Sequence, residues 1–134
     1  MGPLTPDVPA ELGKDEIVLL AEAAAGWELT GQNLPPLSHA LALVEQFTEY
    51  GRMAADDLRT LCLSIPADSN AGVIAQSTLI QAARQLYSPP PHASQLIAAR
   101  RAQNLARLVQ ALNRATERVR EAQARAAPQA RGRP

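Results

Sequence analysis

Apolar residues recur every three or four positions along most of this chain, and the recurrence is cleanest near its end. From Ala98, steps of four and three reach Ala102, Leu105, Val109, Leu112, Thr116 and Val119, and only Thr116 is polar. Ile97, Leu108 and Ala115 widen this seam into the broad stripe of a bundle helix, while Arg100, Arg107, Arg114, Arg118 and Arg125 fall outside its centre. The spacing predicts a helix over 92–126 that Ser94 can cap. Such a stripe has to be covered by other elements.

Three earlier segments can cover it. Asp15 is a candidate N-cap for a short first helix with Ile17, Leu20, Ala21 and Ala24 on one face and Gly26 at its end. After the turn-rich run from Thr30 to Pro36, a long second helix is expected over 37–64, because Leu37, Leu41, Val44, Thr48, Gly51, Ala55, Leu58, Cys62 and Ile65 alternate by four and three. Gly51 marks a close approach by a neighbouring helix, or else a kink or pocket floor. On the outer side, Glu45, Glu49, Arg52 and Asp56 can form a ladder of exposed ion pairs. Pro66 stops this helix. A third helix is expected over 71–87, capped by Ser69 or Asn70, with Ile74, Leu79, Ile80, Ala83 and Leu86 facing inward. Pro89, Pro90 and Pro91 end it and leave His92 in a loop. Residues 1–13, rich in Pro and Gly, read as a mobile leader, and 128–134 as a frayed tail around a single helical domain over 14–127.

These elements predict an all-α protein, a four-helix up-down bundle with two long helices and a short first helix. The third helix should lie antiparallel to both long ones, and the first is the weak member. Composition supports the class. Of 134 residues, 46% are apolar but only Trp27, Phe47, Tyr50 and Tyr87 are aromatic, so the core must be Leu, Val, Ile and Ala. Cys62 is the only cysteine, which rules out an internal disulfide, and no signal-like segment or membrane-length apolar run is present. A soluble, cytoplasmic protein is the expectation.

The net charge of zero hides a sorting by position. Residues 1–68 hold eleven acids against three basic residues, a balance of −8, and residues 69–134 hold ten basic residues against two acids, a balance of +8. Acidic and basic helices attracting one another across a solvated rim is the simplest reading, with self-association next and a basic face for nucleic acid last.

Motifs for catalysis are absent: there is no Gly-rich phosphate loop, no paired cysteines at zinc spacing, and no His-Glu-x-x-His or Glu-x-x-His. No cofactor or metal is expected. Cys62, on a helix seam, reads as a small apolar filler. His39 reads as a surface or capping residue at the start of the second helix, and as a ligand candidate in the sharper view. The most suggestive group is Arg101 and Asn104 beside the last seam. Asn104 could bond Thr48 at mid-bundle height, and Arg101 could pair with Asp56 or Asp57. The alternatives are a satisfied structural network and a small polar pocket for an anionic ligand, lined also by Tyr50 and Tyr87.

The run Ala102-x-x-Leu105-Ala106-Arg107-x-Val109-x-Ala111-Leu112, preceded by Leu63-Ser64-Ile65-Pro66 after a long helix and by Gln81-Ala82-Ala83-Arg84-Gln85-Leu86, resembles a family of small actinobacterial proteins. That family is a domain of unknown function commonly described as natural-product biosynthesis proteins, and the resemblance covers residues 15–120. It implies an all-helical cytoplasmic protein in a specialised pathway and supplies no catalytic residues. Two function classes follow. The first is a non-catalytic binding or scaffolding bundle that forms a homo-oligomer or engages a protein partner. The second is a cofactor-independent enzyme or small-molecule carrier built on Arg101, Asn104, Thr48, Asp56, Tyr50 and His39. Nucleic-acid binding through the arginines of the last helix is the weakest reading.

Overall fold

The computed structural model describes residues 13–89 and 94–131, with side chains through residue 126. Four helices follow in order, α1 (Lys14–Ala25), α2 (Leu37–Leu61), α3 (Asn70–Leu86) and α4 (Gln95–Arg131), with short 3-10 turns at Gly31–Asn33 and Cys62–Ser64. α4 continues to Arg131, past the expected end at Ala126. Leader residues 1–12, the loop residue His92 and tail residues 132–134 lie outside the described residues.

Cross-chain hydrogen bonds fix the directions. The Gln95 amide donates to the Pro35 carbonyl at 2.9 Å, the Tyr50 hydroxyl to Asn113 Oδ1 at 3.0 Å, and the Gln123 amide to Ser64 Oγ. Partners rise together along both long helices, so α2 and α4 are parallel. α1 and α3 run against them, as alternating short connections require. The arrangement is an all-α bundle organised on α4. α2 shares the longest contact with α4, and α1 and α3 each pack mainly against α4 as well.

The seam of α4 is buried as its spacing predicts: Ala98, Ala102, Leu105, Leu108, Val109, Leu112, Ala115 and Val119 are all in the core. Ala99, Gln103 and Ala106 extend it toward α1, while Ile97 is largely exposed. The arginines Arg100, Arg107, Arg114, Arg118 and Arg125 face outward.

On α2 the expected seam is displaced. Ala40, Leu43, Phe47, Tyr50 and Ala54 are buried, whereas Leu37, Leu41, Val44 and Thr48 are only half-buried. The cause is the length of α3. Its last residue, Leu86, sits against Gly51, so close that a Cβ there would lie 2.7 Å from Leu86 Cδ2. Beyond Gly51 no α3 covers the Leu41–Val44–Thr48 edge, and α2 turns the adjacent stripe toward α4 instead. From Gly51 onward α3 is present, and Ala55 and Leu58 are buried as expected. Gly51 therefore marks a close helix approach.

α3 departs further from expectation. Its buried side is Ala71, Gly72, Ala75, Thr78, Leu79, Ala82 and Leu86. Ile74, Ile80 and Ala83, expected inside, are exposed. Small residues let α3 lie close to α2 and α4, which turns two β-branched residues out to solvent.

The helix ends are satisfied locally. Gly13, not Asp15, stands at the N-cap of α1, because Glu16 Oε1 reaches back to accept from the Gly13 amide at 2.8 Å and leaves Asp15 in the first turn. Ser69 Oγ accepts from the Gly72 amide at 3.1 Å and caps α3, and Ser94 Oγ accepts from the Ile97 amide at 3.4 Å.

Candidate functional site

The polar residues singled out from sequence do not form one pocket. Arg101, in the second turn of α4, donates from Nη2 to the carbonyl of Gln85 at 2.9 Å and to that of Ser88 at 3.5 Å. It does not pair with Asp56 or Asp57. The final carbonyls of a helix have no partners within the helix and carry the negative end of its dipole, so a guanidinium there answers both needs. Arg52 completes the same cap from α2. Its Nη2 donates to the Leu86 carbonyl at 2.9 Å and its guanidinium lies 4.6 Å from the centre of the Tyr87 ring. That engagement removes Arg52 from the expected ladder with Glu45 and Glu49. Arg101 Nε and Gln85 Oε1 are buried at this junction without a partner.

The remaining candidates scatter. Asn104 is exposed, and no hydrogen bond joins it to half-buried Thr48. Asp56 is exposed and pairs with Arg59 at 2.7 Å, the one ion pair among the described residues, and both partners lie in the acidic half. The opposite charges of the two halves are thus left mostly to solvent. His39 is exposed at the start of α2, its ring 6.3 Å from that of Trp27. Tyr50 is buried against Asn113, twelve positions along α4 from Arg101, which is roughly 18 Å of helix. A small ligand cannot touch both.

Side chains that the sequence reading passed over hold more of the polar structure. Gln103, nearly fully buried on α4, donates from Nε2 toward the carbonyls of Ala24 at 3.2 Å, Ala25 at 3.3 Å and Trp27 at 2.9 Å. Arg107 Nη2 adds a longer contact to the Ala25 carbonyl at 3.5 Å. α4 thereby caps the C-terminus of α1 with Gln103, much as it caps α3 with Arg101. A polar residue next to an otherwise apolar seam was the available signal. We expect Gln103→Leu to strand these carbonyls, cost about 1–3 kcal/mol and loosen α1 selectively. Hydrogen exchange should show faster exchange of α1 amides with α4 unchanged; uniform acceleration would instead mean global destabilisation.

Two grooves flank α1. One, of about 290 Å³, lies between α1 and α4 over Val18, Ala21 and Val109, with Lys14, Gln110, Asn113, Arg114 and Glu117 around it. The other, of about 180 Å³, shares Lys14 and Asn113 and reaches Tyr50, Asp57 and Arg120. Of the sequence candidates, Tyr50 and Asp57 line the second groove, and Arg101, Asn104, Thr48, Asp56 and His39 line neither. Burial pushes the Cys62 thiol above its ordinary range, which disfavours the nucleophilic thiolate. Among the described residues no group of three or more His, Cys, Asp or Glu side chains could hold a metal, and no helix is long and apolar enough to cross a membrane.

The outer face of α3 combines exposed apolar side chains, which Leu19, Met53 and Leu63 also supply elsewhere, with a near absence of charge. Val73 is 55% exposed and Ile80 58%, seven positions apart on one side of the helix, and Tyr87, the residue that ends it seven positions further on, is 65% exposed. Arg84 is the only charged residue in the 17 of α3. A surface helix of a soluble protein normally carries charge across such a face. Arg52, fixed by the Leu86 carbonyl, holds Tyr87 in place from below.

No family model matches this chain, and no curated protein or solved structure is significantly similar to it.

Proposed function

We propose that this protein is a non-catalytic helical binding or scaffolding module that acts by association through the outer face of α3. The observation that carries the reading is that Val73 and Ile80 are exposed on a helix with one charge, and that Tyr87 is exposed at its end. The polar residues support it from the other direction. Arg52 and Gln103 are engaged in closing helix ends, Arg101 is so through Nη2, and Tyr50 bridges α2 to α4, so most of their hydrogen-bonding capacity goes to the fold. A specialised biosynthetic pathway, as the family resemblance implies, is where a partner would be sought. Tyr87, the one exposed aromatic, lies at the end of α3 beside Arg52 of α2 and not beside the outward arginines of α4, which disfavours nucleic acid.

Ile80→Glu tests the reading directly. Because Ile80 is exposed, the substitution should change stability by no more than about 0.5 kcal/mol, yet weaken association at least tenfold. Sedimentation of the pure protein and of its complexes in native extract measures the second effect. Association unaltered by Ile80→Glu would remove α3 from the hypothesis.

The groove between α1 and α4 favours a second reading, a small-molecule carrier for a ligand with an apolar body and an anionic end. Val18 would take the body, above the buried Ala21 and Val109, and Lys14 and Arg114 the charge, against the opposing carboxylate of Glu117. Medium-chain alkyl carboxylates should then raise the melting temperature of the wild type and not of Arg114→Ala. An equal response from both proteins would sink this reading.

A further inference from the structure

Ile80 is the midpoint of the outer face of α3, and the residues on either side of it match when the helix is reversed. Turning α3 end for end about Ile80 brings Val73 opposite Tyr87, Gln76 opposite Arg84 and Ser77 opposite Ala83. The first pair is apolar. The second sets a guanidinium donor against an amide oxygen that can accept, and the third is small against small. All of these residues are exposed.

From this self-complementarity we infer that a second copy of this chain occupies the face, with the two α3 helices antiparallel across a two-fold axis at Ile80. The inference rests on the docking-face reading above and names its partner. Two-fold contacts require that each residue on one side meet a suitable residue on the same surface of the other copy, and this face meets that condition. Ser77 and Ala83 leave room on each side of Ile80, so the helix axes can approach and the two Ile80 side chains can pack together at the centre. Charge does not oppose the pairing. The two Arg84 residues would stand eight positions apart along the axis, about 12 Å, where salt screens most of their repulsion.

Tyr87 is the anchor at each end. The Arg52 guanidinium lies 4.6 Å from its ring centre and is itself held by the Leu86 carbonyl at 2.9 Å, so the ring is placed before the partner arrives. The face would bury roughly 400 Å² per copy, about 800 Å² in total, below the roughly 1,000 Å² that a stable interface clears and in the range of a weak, transient one. The dimer should therefore dissociate on dilution.

The experiment uses the full chain with Cys62→Ser as background. Under mild oxidation Ile80→Cys should cross-link to itself, because residues on the axis come within disulfide reach. Val73→Cys and Tyr87→Cys should cross-link when mixed, whereas Val73→Cys alone should not, since its two copies stand about 21 Å apart along the axis. Light scattering of the wild type should rise from monomer mass toward twice that value with concentration, and Ile80→Glu should hold it at the monomer. A dimer that forms without the Ile80→Cys cross-link overturns the arrangement. A monomer at every concentration overturns the second copy as occupant, whether residues 1–12 or another protein then cover the face. If such a monomer still binds another protein in a manner sensitive to Ile80→Glu, the docking-face reading survives and only its partner changes. If Ile80→Glu alters no association, both fall.

Discussion

Phe47→Ala should destabilise the protein by about 3–5 kcal/mol, the range for emptying a fully buried aromatic site, while Val44→Ala should cost about 1 kcal/mol. Phe47 is completely buried on α2 in the core, and Val44, one turn earlier, is half-buried beyond the end of α3. The large ring has no substitute nearby. Its removal leaves a cavity in the core that the surroundings can only partly fill. In a domain of this size the loss corresponds to roughly 10–15 °C in melting temperature. Urea unfolding of both variants measures the contrast. Equal losses, or a larger loss for Val44→Ala, would mean that α2 presents the Leu41–Val44–Thr48 edge to the core after all.

Gly72→Ala should cost about 2–3 kcal/mol even though alanine is the better helix former. A Cβ at Gly72 would collide with the Pro66 carbonyl and stand 2.9 Å from the Ala67 carbonyl, both backbone atoms of the turn between α2 and α3. That turn is held by the Ser69 hydroxyl, which donates to the Pro66 carbonyl at 2.7 Å and accepts from the Gly72 amide. Relief therefore requires moving the start of α3 and disturbing its cap together. Gly51→Ala provides the comparison. There the obstacle is the end of the Leu86 side chain, and the helix-propensity gain of about 1 kcal/mol offsets much of the strain. Denaturant midpoints should fall clearly for Gly72→Ala and shift little for Gly51→Ala. A tolerated Gly72→Ala would show that the turn can yield, and that the close approach is not a constraint on how α3 docks.

Both expectations turn on facts that lie at different distances from the sequence. Gly51 was visible as a gap in an apolar seam, and a missing side chain there signals a neighbour. Gly72 gave no such signal, because the chain that crowds it is a backbone carbonyl brought back by the turn at Pro66. The candidate site fared similarly. Arg101 and Tyr50 were recognisable as polar groups beside apolar seams, but their partners are a helix terminus and Asn113, neither of which periodicity identifies. Gln103 was missed because a single glutamine among alanines looks like an exposed position. Only the docking of α1 brings three carbonyls to its amide.

The sequence alone determined the all-helical class, the four segments, the core seam of α4 from Ala98 to Val119 and the outward arginines, and its short connections the alternating directions. Those properties depend on residues a few positions apart on one helix, where a repeat of 3.6 residues decides which side chains share a face. Tertiary structure alone decided which of two adjacent stripes α2 buries, which side of α3 faces solvent, and which carbonyls receive Arg101, Arg52 and Gln103. The face of α3 depends on how closely its small residues let it pack, and the other two on relative helix lengths. α3 stops at Gly51 and α1 stops at Gln103, and wherever a helix stops, its unpaired carbonyls need donors while the stripe it would have covered is left open.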